Sequence, residues 1–426
     1  MAGVTLLTAC DNALNETDYT YSISSETFYN TVEEANAAVL APLDAMRSAY
    51  NSNFFATLEI NTEYCYPKGV YQTYKQYNGF VNATHMNRSD SNWQSLYKAI
   101  MFCNTAIERI PNATKMTEEE KLAYLGELRF LRGFNYFNLV KYWGGVPLKT
   151  DKNITEWNIP KSSKEEVYNF IIEDLKYALD NCPDKKRYLA TPDKNTVRVC
   201  LADVYMHTGD YIEAKKLSGE VVNSGTYQLV QVAEPRDFDK VFGADLTTST
   251  EEIFYIKTSR IDGKTWDYLS YTSHPKYEFV PGKTMLNGNG YYTHYTDLRN
   301  HIIKSWDTND LRYGMNIGFY VFGKDAYGEY TCLLTKYTDP NAQGNGANVS
   351  IPLIRYTDAM LIYSEACARV ANTPTMESIE MLNQLRRRAY GKDPKVPNAE
   401  LDYKLSDYAS FGIDDVAPVE VTTGQT

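Results

Sequence analysis

The sequence predicts a mainly α-helical protein: a body of packed helical repeats interrupted by one long, irregular, loop-rich insertion. Three observations carry this. Apolar residues recur at helical spacing behind capping residues on both sides of the chain's middle. A helix–turn–helix repeat is written between Leu201 and Ala214. The interval from about 228 to 343 then loses the helical period and fills with Gly, Asn, Thr and Tyr. At 426 residues the chain could hold up to about three domains of ~150 residues, or one large repeat body. An apolar fraction of 43% with 23% charged residues is that of an ordinary globular protein able to bury a core.

Thr31-Val32-Glu33-Glu34 opens the first helix as a capping box, and Val39, Leu40, Leu43 and Met46 line one face to about Tyr50. Residues 59–92 read as an aromatic loop, with Tyr64, Tyr66, Tyr71, Tyr74, Tyr77 and Phe80 among Pro67, Gly69 and Gly79. Trp93, Leu96, Tyr97, Ile100, Cys103, Asn104 and Ile107 predict a helix over about 91–110. The strongest helix is 117–143. Thr117 caps it, Glu118, Glu119 and Glu120 fill its first turn, and Gly144-Gly145 with Pro147 stops it. Another helix spans about 163–181. Glu252 to Ile256 is a short β-like run, and helix returns at 356–369 and 376–390.

Leu201-Ala202, Tyr205, Gly209, Tyr211 and Ala214 reproduce the spacing of one tetratricopeptide unit. Small Ala202 and Ala214 let two helices approach, and Tyr205 and Tyr211 are expected to fill the wedge between them. Leu361, Tyr363, Ala366 and Leu382 to Leu385 suggest a second unit, and Leu125 to Phe137 a third.

A formal charge of −11, from 43 Lys+Arg against 54 Asp+Glu, argues against nucleic acid as a partner, because that needs a positive face. No run approaches the ~18 to 20 apolar residues that cross a bilayer. The compositional outlier is 36 tyrosines, beside 16 Phe and 5 Trp. Seven cysteines include no C-x-x-C pair, and the five histidines show no metal spacing, so no metal and no cofactor are expected. Asp307-Thr308-Asn309-Asp310 has oxygen donors suited to calcium but lacks the glycine and terminal Glu of a binding loop.

Leu7-Thr8-Ala9-Cys10 fits a bacterial lipobox, in which the cysteine becomes the lipidated N-terminus. The charged and apolar regions that normally precede it are missing. Residues 1–24 therefore read as a lipoprotein signal remnant and polar tether, and 25–426 as a single folded domain.

Taken together and in order, these segments resemble the SusD/RagB family of nutrient-binding outer-membrane lipoproteins of Bacteroidetes-type bacteria. The densest match is Gly126-Glu127-Leu128-Arg129-Phe130-Leu131-Arg132-Gly133-Phe134-Asn135-Tyr136-Phe137-Asn138-Leu139, closing with Gly144-Gly145-Val146-Pro147-Leu148. Ser162 to Leu175, the stretch ending Tyr227-Gln228-Leu229, Glu251-Glu252-Ile253-Phe254, Asp310-Leu311-Arg312, Tyr363-Ser364-Glu365-Ala366 and Leu382-Asn383-Gln384-Leu385-Arg386 follow in the family's order. Members normally continue past the last of these with a further helical segment of E-R…E-G-x-R type. Here the chain passes through Asp414-Asp415 to Thr426, so its C-terminal part is either truncated or diverged.

The resemblance implies capture of a nutrient, usually a glycan, at the cell surface by a protein lipid-anchored to the outer membrane through Cys10. It also implies delivery to a SusC-like TonB-dependent transporter. Sugars present apolar faces ringed by hydroxyls, which flat aromatics with nearby amides and charges can hold. The candidate ligand residues are Tyr66, Tyr71 and Tyr74 in the first aromatic stretch, and Trp266, Tyr268, Tyr271, Asn289, Tyr291 and Tyr292 in the second. By order along the chain, the family's site aromatics fall near Tyr66 and Tyr291. Arg129, Arg132 and Trp93 read as structural, and Arg386-Arg387-Arg388 as a solvated or salt-bridged face. The protein is not expected to be an enzyme. A glycosidase would need a carboxylate pair flanking a trough; Glu63, Glu278, Asp297, Asp325 and Glu329 are available, but no pattern marks a pair. A RagB-like peptide receptor and a tetratricopeptide scaffold remain alternatives.

Overall fold

The computed structural model describes residues 28–408 except 51, 61, 76–82, 262, 288–289, 292, 320–329 and 343, and excludes the side chains of 52–53, 56–57, 70, 73–74, 83–89 and 294. Cys10, Asn289, Tyr292, Asp325 and Glu329, together with the Tyr74 side chain, lie outside what it describes.

Seven helices build the first half: α1 (Val32–Ala49), α2 (Ser52–Ile60), α3 (Ala83–Arg109), α4 (Glu118–Trp143), α5 (Lys164–Asn181), α6 (Lys194–Thr208) and α7 (Tyr211–Val222). Thr31, Thr117 and Ser163 each cap their helix, their side chains accepting from the N3 backbone while Glu34, Glu120 and Glu166 reach back. The helix expected from residue 91 begins two turns earlier, at Ala83. Its first turns, through Asn87, Arg88, Ser89 and Asp90, carry no apolar period from which a start could be read.

Helices follow one another into contact: α1 on α3, α3 on α4, α4 on α5, α5 on α6, α6 on α7. Helix α4 is the hub, buried on nearly every side from Tyr124 to Val140. Close approach to α5 is written into Gly126, where a Cβ would sit 2.7 Å from the Cys182 nitrogen. Ala202 and Ala214 are fully buried between α6 and α7, and Tyr205 fills the wedge as expected. Tyr211 does not. It lies half-buried at the outside, with the Arg369 guanidinium over its ring.

The expected insertion is present, but it is more ordered than an irregular loop. It contains short helices α8 (Asp239–Phe242), α9 (Tyr268–Thr272), α10 (His301–Ser305) and α11 (Leu311–Asn316). Its strands are β2 (Glu252–Ile256), β3 (Glu278–Val280), β4 (Lys283–Thr284), β5 (His294–Asp297), β6 (Ile317–Phe319), β7 (Thr331–Leu334) and β8 (Ile351–Arg355). Strand β1 (Tyr66–Pro67), from the earlier aromatic stretch, joins β5, β7 and β6 in an antiparallel sheet of order β1-β5-β7-β6. The neck of the insertion is the buried antiparallel pair β2–β8. The chain then returns to helix in α12 (Tyr356–Ala371), which packs on α7, and α13 (Met376–Ala389).

The arginines on the patterned helices are structural. Arg132 on α4 donates through Nε and Nη2 to both oxygens of Asp174 on α5 (2.7 and 2.8 Å), and through Nη1 to Asn104 on α3 and Asp151 beyond α4. Arg387 is buried between Glu380 and Asp402, and Arg388 is buried against Glu251, so only part of that triplet is a solvated face. Asp310 caps α11 and binds Arg312, so it serves as a helix start. The six described cysteines are buried thiols.

Removing Arg132 strands a buried carboxylate. Arg132→Met is expected to cost about 3 to 5 kcal/mol in urea unfolding, whereas Arg198→Ala, which breaks the more exposed pair with Glu220, should cost under ~1 kcal/mol.

Candidate functional site

The two tyrosine-rich stretches meet at one edge of the sheet. Tyr66 pairs with Tyr295 and Pro67 with His294, and the Lys68 amide donates to the Thr293 carbonyl at 2.8 Å. Along β5 the strand period sends Thr296 into the interior and leaves Tyr295 and Asp297 half-exposed. The Tyr66 and Tyr295 rings lie 5.9 Å apart, tilted by 31°, and the Lys75 ammonium sits 4.3 Å from the Tyr66 ring centre.

The turn after β5 completes the cleft. Asn300 caps α10 by accepting from the Ile302 amide, and its own amide donates to the Glu63 carbonyl at 2.7 Å and the Tyr66 hydroxyl at 2.9 Å. One side chain thus fixes β5, the aromatic loop and the Tyr66 ring together. Arg299 forks onto Asp297 through Nε (3.0 Å) and Nη2 (2.7 Å), and its guanidinium lies 4.9 Å from the Tyr330 ring centre. Hydrogen bonding from Arg299 holds the Asp297 carboxyl below the usual carboxylate range. Tyr66, Tyr295, Asp297, Arg299 and Asn300 line an open cleft of about 360 Å³. His301 and Glu63 form an exposed pair 3.3 Å apart on residues adjoining the Asn300 contacts.

A second aromatic surface involves the same two stretches. Tyr71, Tyr271 and Tyr291 meet edge to face at 5.6 and 5.8 Å. Tyr291 follows Gly290, whose backbone runs so close to Ser273 that a Cβ would sit 2.8 Å from its carbonyl oxygen. The Tyr291 amide then donates to Ser270 and its hydroxyl to Asn345, leaving the ring 40% exposed.

Three expected ligand groups are packing groups instead. Trp266 is 1% exposed, donates its indole N–H to the Tyr50 carbonyl, and packs against Phe55, Tyr268 and Tyr337. Tyr268 lies in the same cluster, where burial pushes its hydroxyl pKa well up. Tyr71 is buried beside Ile60. All three are buried, Trp266 and Tyr71 within packed clusters and Tyr268 at the wall of an inner cavity. Tyr66, Tyr271 and Tyr291 stay at the surface. The sequence does not mark Tyr295, Arg299, Asn300 or Tyr330 as ligand residues, and it offers Asp297 only as an available carboxylate. The available signal was the alternation Tyr295-Thr296-Asp297, which marks a strand with one exposed face.

Residues 11–206 match the SusD-like family model described as starch-binding associating with outer membrane, and residues 199–403 match the SusD family model. Two SusD-like proteins of Formosa agariphila, P38 and P2, are 26% and 25% identical over 414 and 404 residues. They cover 89% and 86% of this chain and 79% and 76% of their own. A SusD homolog from Bacteroides thetaiotaomicron shares the fold with a TM-score of 0.73 at 20% identity, covering 89% of this chain and 81% of that one. A laminarin-binding SusD-like protein does so with a TM-score of 0.70 at 19% identity, covering 88% and 86%. No helix among the described residues is long and apolar enough to cross a membrane. With family models matching in sequence order across both halves, and relatives and structures agreeing over most of its length, the chain belongs to the SusD/RagB family.

Proposed function

We propose that this protein captures an oligosaccharide at the cell surface without cleaving it and hands it to a SusC-like TonB-dependent transporter, anchored through a lipid on Cys10. The observation that carries the reading is the convergence of Tyr66 and Tyr295 with the Asp297–Arg299 fork and Asn300 in one open cleft. Tyrosine offers an apolar ring and a hydrogen-bonding tip at small entropic cost. Beside it, a carboxylate accepts from one sugar hydroxyl and a guanidinium donates to the next. Arg299 Nη1 takes no part in the fork with Asp297 and has no partner among the described residues, so it can fill that role. Family membership supports a glycan as ligand, as does the similar fold of a laminarin-binding protein.

Non-catalytic binding is favoured by the character of Asp297. A glycosidase's general acid needs a raised pKa, and Asp297 is held low by Arg299. Among the described residues it is also the one carboxylate lining this cleft.

Native affinity gels and calorimetry with laminarin and a panel of neutral oligosaccharides test this. Tyr66→Ala and Tyr295→Ala should each weaken binding by about 1 to 3 kcal/mol, on the scale of stacking on aromatic side chains, and Tyr291→Ala should do the same on a longer oligosaccharide. No reducing ends should appear with time. Binding unchanged in all three variants would remove the site assignment, and released reducing ends would replace capture with hydrolysis. Asn300→Ala removes a cap and two further hydrogen bonds, so it should lower stability by about 1 to 3 kcal/mol in urea as well as weaken binding.

A further inference from the structure

A second concave surface lies on the helical body and shares no residue with the cleft. Its floor is the outer face of α3, where Trp93 and Tyr97 stand one turn apart with ring centres 4.8 Å from each other and Met101 follows. Its wall is the loop after α4, with Pro147, Lys149, Ile154, Trp157 and Ile159, and together they enclose about 510 Å³. Trp157 is 91% exposed, more than any other large apolar side chain described. An indole left almost wholly in water beside an apolar groove marks a surface that takes a partner.

The wall is firmly built. Lys149 donates its amide to the Tyr136 hydroxyl at 2.7 Å, and its carbonyl accepts from Tyr136 and Asn104. Asn153 closes the next turn by donating to the Leu148 carbonyl and accepting from the Thr150 amide. Arg132 holds Asp151 from behind. The Lys149 ammonium, bonded to the Glu156 carbonyl, sits 5.8 Å from the Trp157 ring centre. The indole therefore carries a cation over its ring and is otherwise open to solvent.

The polar lining is one-sided. Among the described residues Lys98 and Lys149 line the groove and no Asp or Glu does, in a chain whose formal charge is −11. Neither the Trp93 nor the Trp157 indole N–H has a hydrogen-bond partner among the described residues. Several acceptors along the groove are engaged: the Pro147 carbonyl by Tyr97, the Lys149 carbonyl as above, and Asn104 Oδ1 by Arg132, while Gln94 turns its amide N–H to Asp90. The groove thus offers donors, cations and apolar faces. An acidic sugar brings a carboxylate for the two ammonium groups, ring and hydroxyl oxygens for the two indole N–H groups, and an apolar face for the exposed indole.

We propose that this groove is a second saccharide site selective for carboxylate-bearing sugars, with a uronate ring stacked on Trp157 and its carboxylate paired with Lys149, Lys98 donating alongside. A sugar face against Trp157 uses the stacking geometry that serves ligands generally, and the two ammonium groups supply the charge selectivity.

Calorimetry and tryptophan fluorescence on the full chain test it, with tetragalacturonate, its methyl ester and a tetraglutamate peptide as probes. Tetragalacturonate should bind and quench fluorescence. Trp157→Ala should weaken that binding by about tenfold or more, and Lys149→Gln by about three- to tenfold. The ester should bind more weakly than the acid. Trp157→Ala should leave melting and the cleft's capture of neutral oligosaccharide unchanged, which separates this groove from the cleft. Equal binding by wild type and Trp157→Ala, absence of tetragalacturonate binding, an ester that binds as well as the acid, or a tetraglutamate peptide that competes as well as the sugar would each overturn the assignment.

Discussion

The insertion can carry a binding surface because its neck is closed. Strands β2 and β8 pair antiparallel, β2 is buried along its whole length, and together they clamp both ends of a segment of about a hundred residues onto α6 and α1. Closing a segment that long costs chain entropy, which grows only slowly with length. Burial of Ile253, Phe254 and Ile256 against the helical core offsets it. Trp266, hydrogen-bonded to Tyr50 on the body, pins the insertion a second time. On that foundation a two-residue strand, β1, can pair with β5, a contact too short to persist alone. Asn300 then fixes the Tyr66 hydroxyl and the loop carbonyl of Glu63.

Arginine plays opposite parts in the body and in the cleft. Arg132 is desolvated and bonded through every nitrogen of its guanidinium, so it locks three helices and the loop behind Trp157 into one arrangement. Arg299 is mostly in water and forks onto a single carboxylate, which neutralises it without using it up. The first geometry is worth several kcal/mol only because breaking it strands charge. The second contributes little to folding and leaves a donor free for a ligand.

The helical half was legible in the sequence because its signals are local. Thr117 with Glu120 and Ser163 with Glu166 place helix starts within a residue, and Gly144-Gly145 places the end of α4. Signals fail where structure is decided at a distance. The start of α3 offers only Ala83 and Met86 before an unbroken polar run from Asn87 to Asn92. The sheet strands are two to four residues long, and β1 finds β5 across more than two hundred residues. Aromatic content located the two stretches that meet, but not which rings face solvent. Trp266 and Tyr291 look alike in sequence; one is buried because Tyr50, Phe55 and Tyr337 enclose it, and the other is exposed because Gly290 carries it past Ser273. Arg299 and Asn300 belong to the cleft only because β5 pairs with β1.

Hydrogen–deuterium exchange with and without a saturating neutral oligosaccharide tests most directly that one cleft joins the two stretches. Protection should rise together in peptides covering 64–72 and 294–301, and both rises should vanish in Tyr295→Ala. Protection confined to one of these segments, or appearing only on the helical repeats, would contradict the account.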